Sequence, residues 1–149
     1  MLRAHGLACD RGDRRLFSAV DFSLAPGEWL QVEGANGAGK TSLLRMLAGL
    51  APSADGHIEW DGQPVSDVRD EFHARLLYLG HAPAIKEDLS ALENLQTAAA
   101  VAGRPLDEAT ALAALRRIGL KGREDLPARV LSQGQKRRVA LARLLCSQA

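Results

Sequence analysis

Apolar and polar positions alternate at strand period through the first half of the chain and repeat at helical period through the second. Leu2 to Cys9 forms a first candidate strand, closed by the polar turn Asp10-Arg11-Gly12-Asp13-Arg14. Leu16 to Leu24 alternates loosely, with Phe17, Val20, Phe22 and Leu24 among Ser and Asp, as a half-exposed strand does. Pro26-Gly27 marks a turn, and Trp29 to Glu33 reads as a short strand. Ser42 to Ala48 carries an apolar stripe at helical spacing; Gly49 is suited to cap it and Pro52 forbids its continuation. His57 to Trp60, set between Asp55-Gly56 and Asp61-Gly62, reads as an edge strand of a hairpin. Arg69 to Ala74 predicts a short helix, and the nearly all-apolar Leu76 to Leu79 a strand buried on both faces.

Past Gly80-His81-Ala82-Pro83 the pattern is helical. Ser90-Ala91-Leu92-Glu93 is a capping-box sequence that opens a helix to about Val101. Asp107 to Ile118, with Leu112, Leu115 and Ile118 on one side, predicts another. Gly119, Gly122 and Pro127 punctuate a loop, and from about Ser132 the sequence is helical to near its end. The expected organisation is one domain over residues 1–149, with a strand-rich core at about 1–82 and an inserted helical subdomain at about 83–147.

Composition narrows the class without naming a chemistry. With 46% apolar and 25% charged residues the chain is globular, not disordered. A net charge of +1 gives no argument for nucleic acid or an anionic membrane, and none is expected as a partner. The run Lys136-Arg137-Arg138 reads as a solvated helix face. Cys9 and Cys146 stand far apart, which fits reduced thiols in a reducing compartment. The opening stretch, with Arg3, Asp10 and Arg11, lacks the apolar run of a signal peptide, and nothing approaches the roughly 18 apolar residues of a membrane span. The expectation is a cytoplasmic chain, attached to a membrane at most through a partner.

The chemistry concentrates in Gly34-Ala35-Asn36-Gly37-Ala38-Gly39-Lys40-Thr41, which fits the phosphate-binding pattern G-x-x-x-x-G-K-[ST] in full. It lies between the strand at 29–33 and the helix that Ser42 enters. The glycines permit a tight turn with amide hydrogens facing inward, where a Cβ would crowd a phosphate. Those amides and the unpaired N–H groups of the helix start make an anion site. Lys40 is placed to reach the β- and γ-phosphates of ATP, and the Thr41 hydroxyl to ligate Mg²⁺. The bland alternative is a glycine-rich turn that happens to end in a lysine.

A second stretch, Leu131-Ser132-Gln133-Gly134-Gln135 followed by Lys136 to Arg143, allows two readings. Ser132 and Gln135 are spaced as a weak capping box, and Gly134 keeps the helix start open, so the Ser132 hydroxyl and nearby amides could face an anion from outside the polypeptide. Equally, this is a well-capped helix whose side of Val139, Ala142 and Cys146 enters a core.

The two stretches together resemble the ATP-binding-cassette ATPases. Ala25 to Gln31, Leu79 to Lys86, Leu92 to Leu95 and Gly134 to Leu144 are similar, more narrowly, to the ATP-binding subunit of the bacterial cytochrome c maturation heme exporter. That resemblance spans essentially the whole chain. It implies an α/β P-loop NTPase fold of ABC type: an N-terminal β subdomain, a partial core sheet and a helical subdomain, with the C-terminal part of the core lacking. It also implies a peripheral ATPase on the cytoplasmic face of the inner membrane, paired with integral membrane subunits and driving heme delivery for c-type cytochromes. Ser132, Gly134 and Gln135 then fall on the signature motif, which closes over ATP held by the P-loop of a second ATPase subunit.

Three departures from that family pattern stand out. The aromatic residue that stacks on adenine corresponds here to about Arg11, whose guanidinium can still stack on a base, more weakly. The loop glutamine that helps hold Mg²⁺ falls on Ala82, which has no ligand atom; water or neighbouring His81 takes its place, although a His beside such a loop is more often structural. No Asp or Glu follows an apolar strand after the signature segment, so no catalytic residue is assigned. The expectation is that the 149-residue chain alone is marginally folded and without turnover, with Leu30, Val32 and Leu76 to Leu79 partly unpaired. Competing expectations are an ABC ATPase with another cargo, a nucleic-acid-associated ABC ATPase, and a non-catalytic nucleotide-binding module.

Overall fold

The computed structural model describes residues 1–81 and 84–147, and forms two compact units, Met1–Leu76 and Leu77–Ala149. In the first, β1 (Leu2–Arg11) turns through Gly12-Asp13 into β2 (Arg14–Leu24), its antiparallel neighbour. On its other side β1 pairs with β3 (Asp55–Trp60), which turns through Asp61-Gly62 into the two-residue β4 (Gln63–Pro64). The order β2-β1-β3-β4 puts β3 inside the sheet, so His57 to Trp60 is not the edge expected from the sequence. Pro64, with no N–H to donate, suits the edge position that β4 takes instead.

Helix α1 (Lys40–Leu47) lays Leu43 and Leu47 against Ala4 and Leu7 of β1, with Phe17, Val20, Phe22, Val32 and Ile58 packed around them. Its end closes by two backbone bonds, Gly49 N–H to Met46 O and Leu50 N–H to Arg45 O, both 2.8 Å, the paired arrangement of a Schellman motif. Helix α2 (Arg69–Arg75) buries Phe72, whose ring centroid lies 5.8 Å from that of Trp60.

Two expected strands are absent as ladders. Neither Trp29 to Glu33 nor Leu76 to Leu79 is paired with any strand among the described residues. An apolar run marks a segment suited to a sheet interior, but a ladder also needs a neighbour to exchange N–H and C=O bonds. Without one, Trp29 is 80% exposed and Leu30 43%. The core sheet of this α/β P-loop fold is therefore partial and unclosed.

The second unit is helical: α3 (Ala91–Val101), α4 (Glu108–Arg117) and α5 (Gln133–Cys146), with a single 3₁₀ turn at Ala128–Val130. Leu92, Leu95, Leu115, Leu120, Leu131 and Val139 fill its core, alanines at 91, 111, 114 and 142 let the three helices approach one another, and Ala128 of the 3₁₀ turn is buried with them. Leu112, Ile118 and Cys146 pack at the margin of that cluster. The Cys146 thiol is pushed above its ordinary range by burial. Each helix start is capped by a side chain. Ser90 and Glu93 complete a reciprocal box on α3, Ser132 and Gln135 do so on α5, and Asp107 accepts the Thr110 N–H at 2.9 Å on α4.

Buried Asn94 ties down the segment that enters α3. Its carbonyl accepts the Lys86 N–H at 2.8 Å, while its amide donates to the carbonyls of Lys86, Leu89 and Ser90. Glu124, also buried, accepts from Arg116 Nε at 3.1 Å. Its own backbone N–H and the Arg116 guanidinium hold this carboxyl below the usual range.

Candidate functional site

The glycine-rich loop joins Val32, packed against the β-unit core, to Leu43 and Leu47, buried in that core, so both of its ends are anchored. Between them Gly34 to Ala38 are exposed, and the chain turns back on itself where the Ala38 N–H meets Ala35 O at 3.2 Å. Gly39 occupies the N-cap position of α1 at φ 96°, in the left-handed region. Only glycine fits there on two counts: the backbone conformation, and a Cβ that would lie 3.0 Å from the Phe17 ring.

With glycine at the cap, α1 has no side chain to accept its first N–H groups, and its first turn carries no acidic residue. The first helical bond within reach is Leu43 N–H to Gly39 O at 2.8 Å. The start of α1 therefore keeps donor N–H groups and the positive end of its dipole open to an anion. Lys40 folds over the loop, its Nζ donating to Gly34 O at 2.7 Å and to Ala35 O at 2.9 Å. That places an ammonium beside the backbone turn, in no ion pair with a carboxylate among the described residues. Thr41 is exposed and Ser42 half-buried beside it. Exposed backbone donors, a cation and a hydroxyl suit a phosphate chain with a hard divalent ion, which takes oxygen ligands.

Arg11 lies exposed at the last position of β1, opposite Arg14 across the turn. Ala82 lies outside the described residues. His81 is exposed, and its carbonyl accepts from Arg137 Nη1 at 3.4 Å.

In the helical unit, Ser132, Gln133 and Gly134 are exposed and Gln135 is half-buried. Ser132 Oγ accepts the Gln135 N–H at 3.2 Å and Gln135 Oε1 accepts the Ser132 N–H at 2.8 Å, so both readings of this segment remain compatible: the cap is made, and the Ser132 hydroxyl hydrogen is still available to an acceptor. Val139 and Ala142 enter the core.

In the run Lys136-Arg137-Arg138 the two arginines are exposed, as a solvated face would have them, and Lys136 is the exception. Lys136 is buried, 8% exposed, and its Nζ bonds Glu87 at 2.6 Å. Arg137 donates to Gly80 O at 2.9 Å and Arg138 to Gly119 O at 3.3 Å. Lys136 in turn holds the Glu87 carboxyl below its ordinary range. Three cations thus fasten the start of α5 to the segments before α3 and after α4. Their acceptors lie at least nineteen positions away along the chain, so no local pattern could expose them.

Among the described residues no helix is long and apolar enough to cross a membrane. Residues 17–149 match the family model described as ABC transporter. The chain is 56% identical over 144 residues to the cytochrome c biogenesis ATP-binding export protein CcmA of Methylococcus capsulatus, covering 97% of this chain and 70% of that protein. It is 57% identical over 145 residues to the protein of the same name from Dechloromonas aromatica, covering 97% and 71%. Among solved structures, a putative ABC transporter ATP-binding protein from Pyrococcus furiosus has the same fold, with a TM-score of 0.88 at 24% identity over 99% of this chain and 71% of its own. The chain belongs to the ABC transporter family, in the branch of the cytochrome c biogenesis ATP-binding export proteins.

Proposed function

We propose that this chain is the ATP-binding subunit of an export system for cytochrome c biogenesis, with residues 34–42 holding the phosphates of Mg-ATP. The observation that carries the reading is the uncapped start of α1 beneath a lysine bonded to the loop carbonyls of Gly34 and Ala35. In this reading the backbone N–H groups of Gly34 to Ser42 bind phosphate oxygens and Lys40 neutralises the β- and γ-phosphates. Thr41 holds Mg²⁺, which when bound supplies charge stabilisation for the transferred phosphoryl group. Arg11 stacks on the base. Ser132, Gly134 and Gln135 face the γ-phosphate of a nucleotide held by a second ATPase subunit, their donors placed by the cap of α5.

Membership of an ATP-hydrolysing family supports an enzymatic role. None of the residues described here is assigned as the base that orients the attacking water. The names of the relatives support an ATP-binding role in export for cytochrome c biogenesis. From the resemblance to heme-exporter subunits we further infer a seat on the cytoplasmic face of the inner membrane beside integral membrane subunits, with heme or a heme carrier as the exported species.

The reading is tested by Lys40→Ala in the chromosomal gene, followed by heme staining of c-type cytochromes. The expected result is loss of mature cytochromes to the level of a strain lacking the gene. Unchanged cytochromes in a strain whose protein no longer binds ATP would assign the subunit to another cargo.

A further inference from the structure

The sheet carries a second cluster of ligating side chains, away from the glycine-rich loop. His5 of β1 and His57 of β3 are direct cross-strand partners, and Glu59 follows His57 by two residues. Period-two alternation therefore puts all three on one face, while Ala4 and Ile58, the neighbouring cross-strand pair, point to the hydrophobic core on the other. The two imidazoles stack with centroids 4.8 Å apart and 18° between their planes. His57 Nε2 lies 3.3 Å from Glu59 Oε1, and His5 Nε2 lies 3.4 Å from Glu59 Oε2. One ligand atom from each residue falls within 4.8 Å of the other two.

We propose that His5, His57 and Glu59 form a binding site for a borderline divalent transition metal, of which Zn²⁺ is the type, with the fourth position left to water. Ligand atoms about 2.1 Å from a tetrahedral ion sit roughly 3.4 Å from each other. The two nitrogen-to-oxygen separations already match that edge. A small rotation of the exposed His57 ring or of the Glu59 carboxylate brings the widest pair inward.

A second observation points the same way. His5 Nε2 is enclosed by protein and makes no hydrogen bond, an arrangement that costs free energy unless something fills its lone pair.

The scaffold is rigid where the site needs it. Gly56, the residue before His57, is pressed onto the neighbouring strand so closely that a Cβ would lie 2.2 Å from His5 O. Its φ of 78° adds a second reason for glycine. This contact fixes the two histidine backbones together, and borderline imidazole nitrogens with one carboxylate select zinc, nickel, cobalt or copper over magnesium. The site thus differs in chemistry from the hard-oxygen site expected at Thr41.

Titration of the metal-free protein with ZnCl₂ against a chromophoric chelator tests the proposal, beside the variants His57→Ala, Glu59→Gln and Lys40→Ala. The expected result is one Zn²⁺ per chain, with affinity lowered more than about tenfold in H57A and E59Q, a loss at least that of an outer-shell partner, and unchanged in K40A. Zn²⁺ should also raise the melting temperature of the parent but not of H57A, and Co²⁺ in its place should show the visible bands of a tetrahedral ion. Absence of stoichiometric binding, or equal binding in parent and H57A, would overturn it, the latter placing the ion on other groups such as the cysteines. Since His57 and Glu59 are exposed or half-exposed, E59Q serves as the control should H57A fold poorly.

Discussion

The two units of this chain solve the same physical problem, the orphan groups at the ends of their elements, in opposite ways. In the helical unit every helix start is answered from within: Ser90, Asp107 and Ser132 each accept an N–H of their own first turn. In the β unit, α1 starts on Gly39 with no side-chain cap, and Trp29 and Leu30 stay exposed beside a run with no ladder. The helical unit answers its own helix starts, while the β unit leaves open the groups an external anion or a further strand would satisfy. Unmet backbone donors cost stability unless a ligand arrives, so they mark where ligand free energy can be gained.

The contrast is broken most severely at the centre of the closed unit. Leu115 is fully buried, and Leu115→Ala should cost about 3 kcal/mol from lost transfer energy and the residual cavity. Urea unfolding followed by hydrogen exchange should show protection falling across α3, α4 and α5; a loss confined to the β unit would contradict the separate cores. Next in size, Gly39→Ala forces a side chain into left-handed backbone against the Phe17 ring and should cost roughly 2 kcal/mol, read in the same unfolding measurement. An unchanged midpoint would mean that the loop relaxes freely and is no preformed cradle.

Smaller again, Ser132→Ala removes a cap that α5 uses and should cost about 1 kcal/mol. A neutral effect would show that the hydroxyl serves a partner and not the helix. The smallest effect concerns acid. Glu124 is held below the ordinary carboxylate range, chiefly by its own backbone N–H and then by Arg116, so its contribution is complete above that range and is lost as pH falls through the lowered folded value. The melting-temperature gap between the parent and Glu124→Gln should therefore be widest near neutral pH and close as pH falls below the ordinary carboxylate range. A gap that widens on acidification would reverse the sign of this account.

Features written in neighbouring residues were legible from the sequence. The boxes Ser90 with Glu93 and Ser132 with Gln135 each fit within four residues, and both form. The loop from Gly34 to Thr41 is continuous, and its flanking helix begins at Lys40. That Leu76 to Leu79 and Trp29 to Glu33 would lack neighbours is expected from the family resemblance, since their own composition is that of paired strands. What escaped was pairing across distance. Lys136 looked solvated because its partner Glu87 is 49 positions away. The His5, His57 and Glu59 cluster depends on the register of β1 against β3, which only the pairing reveals.

The central claim, that the open helix start and Lys40 together hold a nucleotide, is tested most directly by calorimetric titration of the parent and of Lys40→Ala with Mg-ATP. The account predicts a single saturable site in the parent and none in the variant, with the circular dichroism of both unchanged. Equal binding by the two proteins, or none by a folded parent, would contradict it.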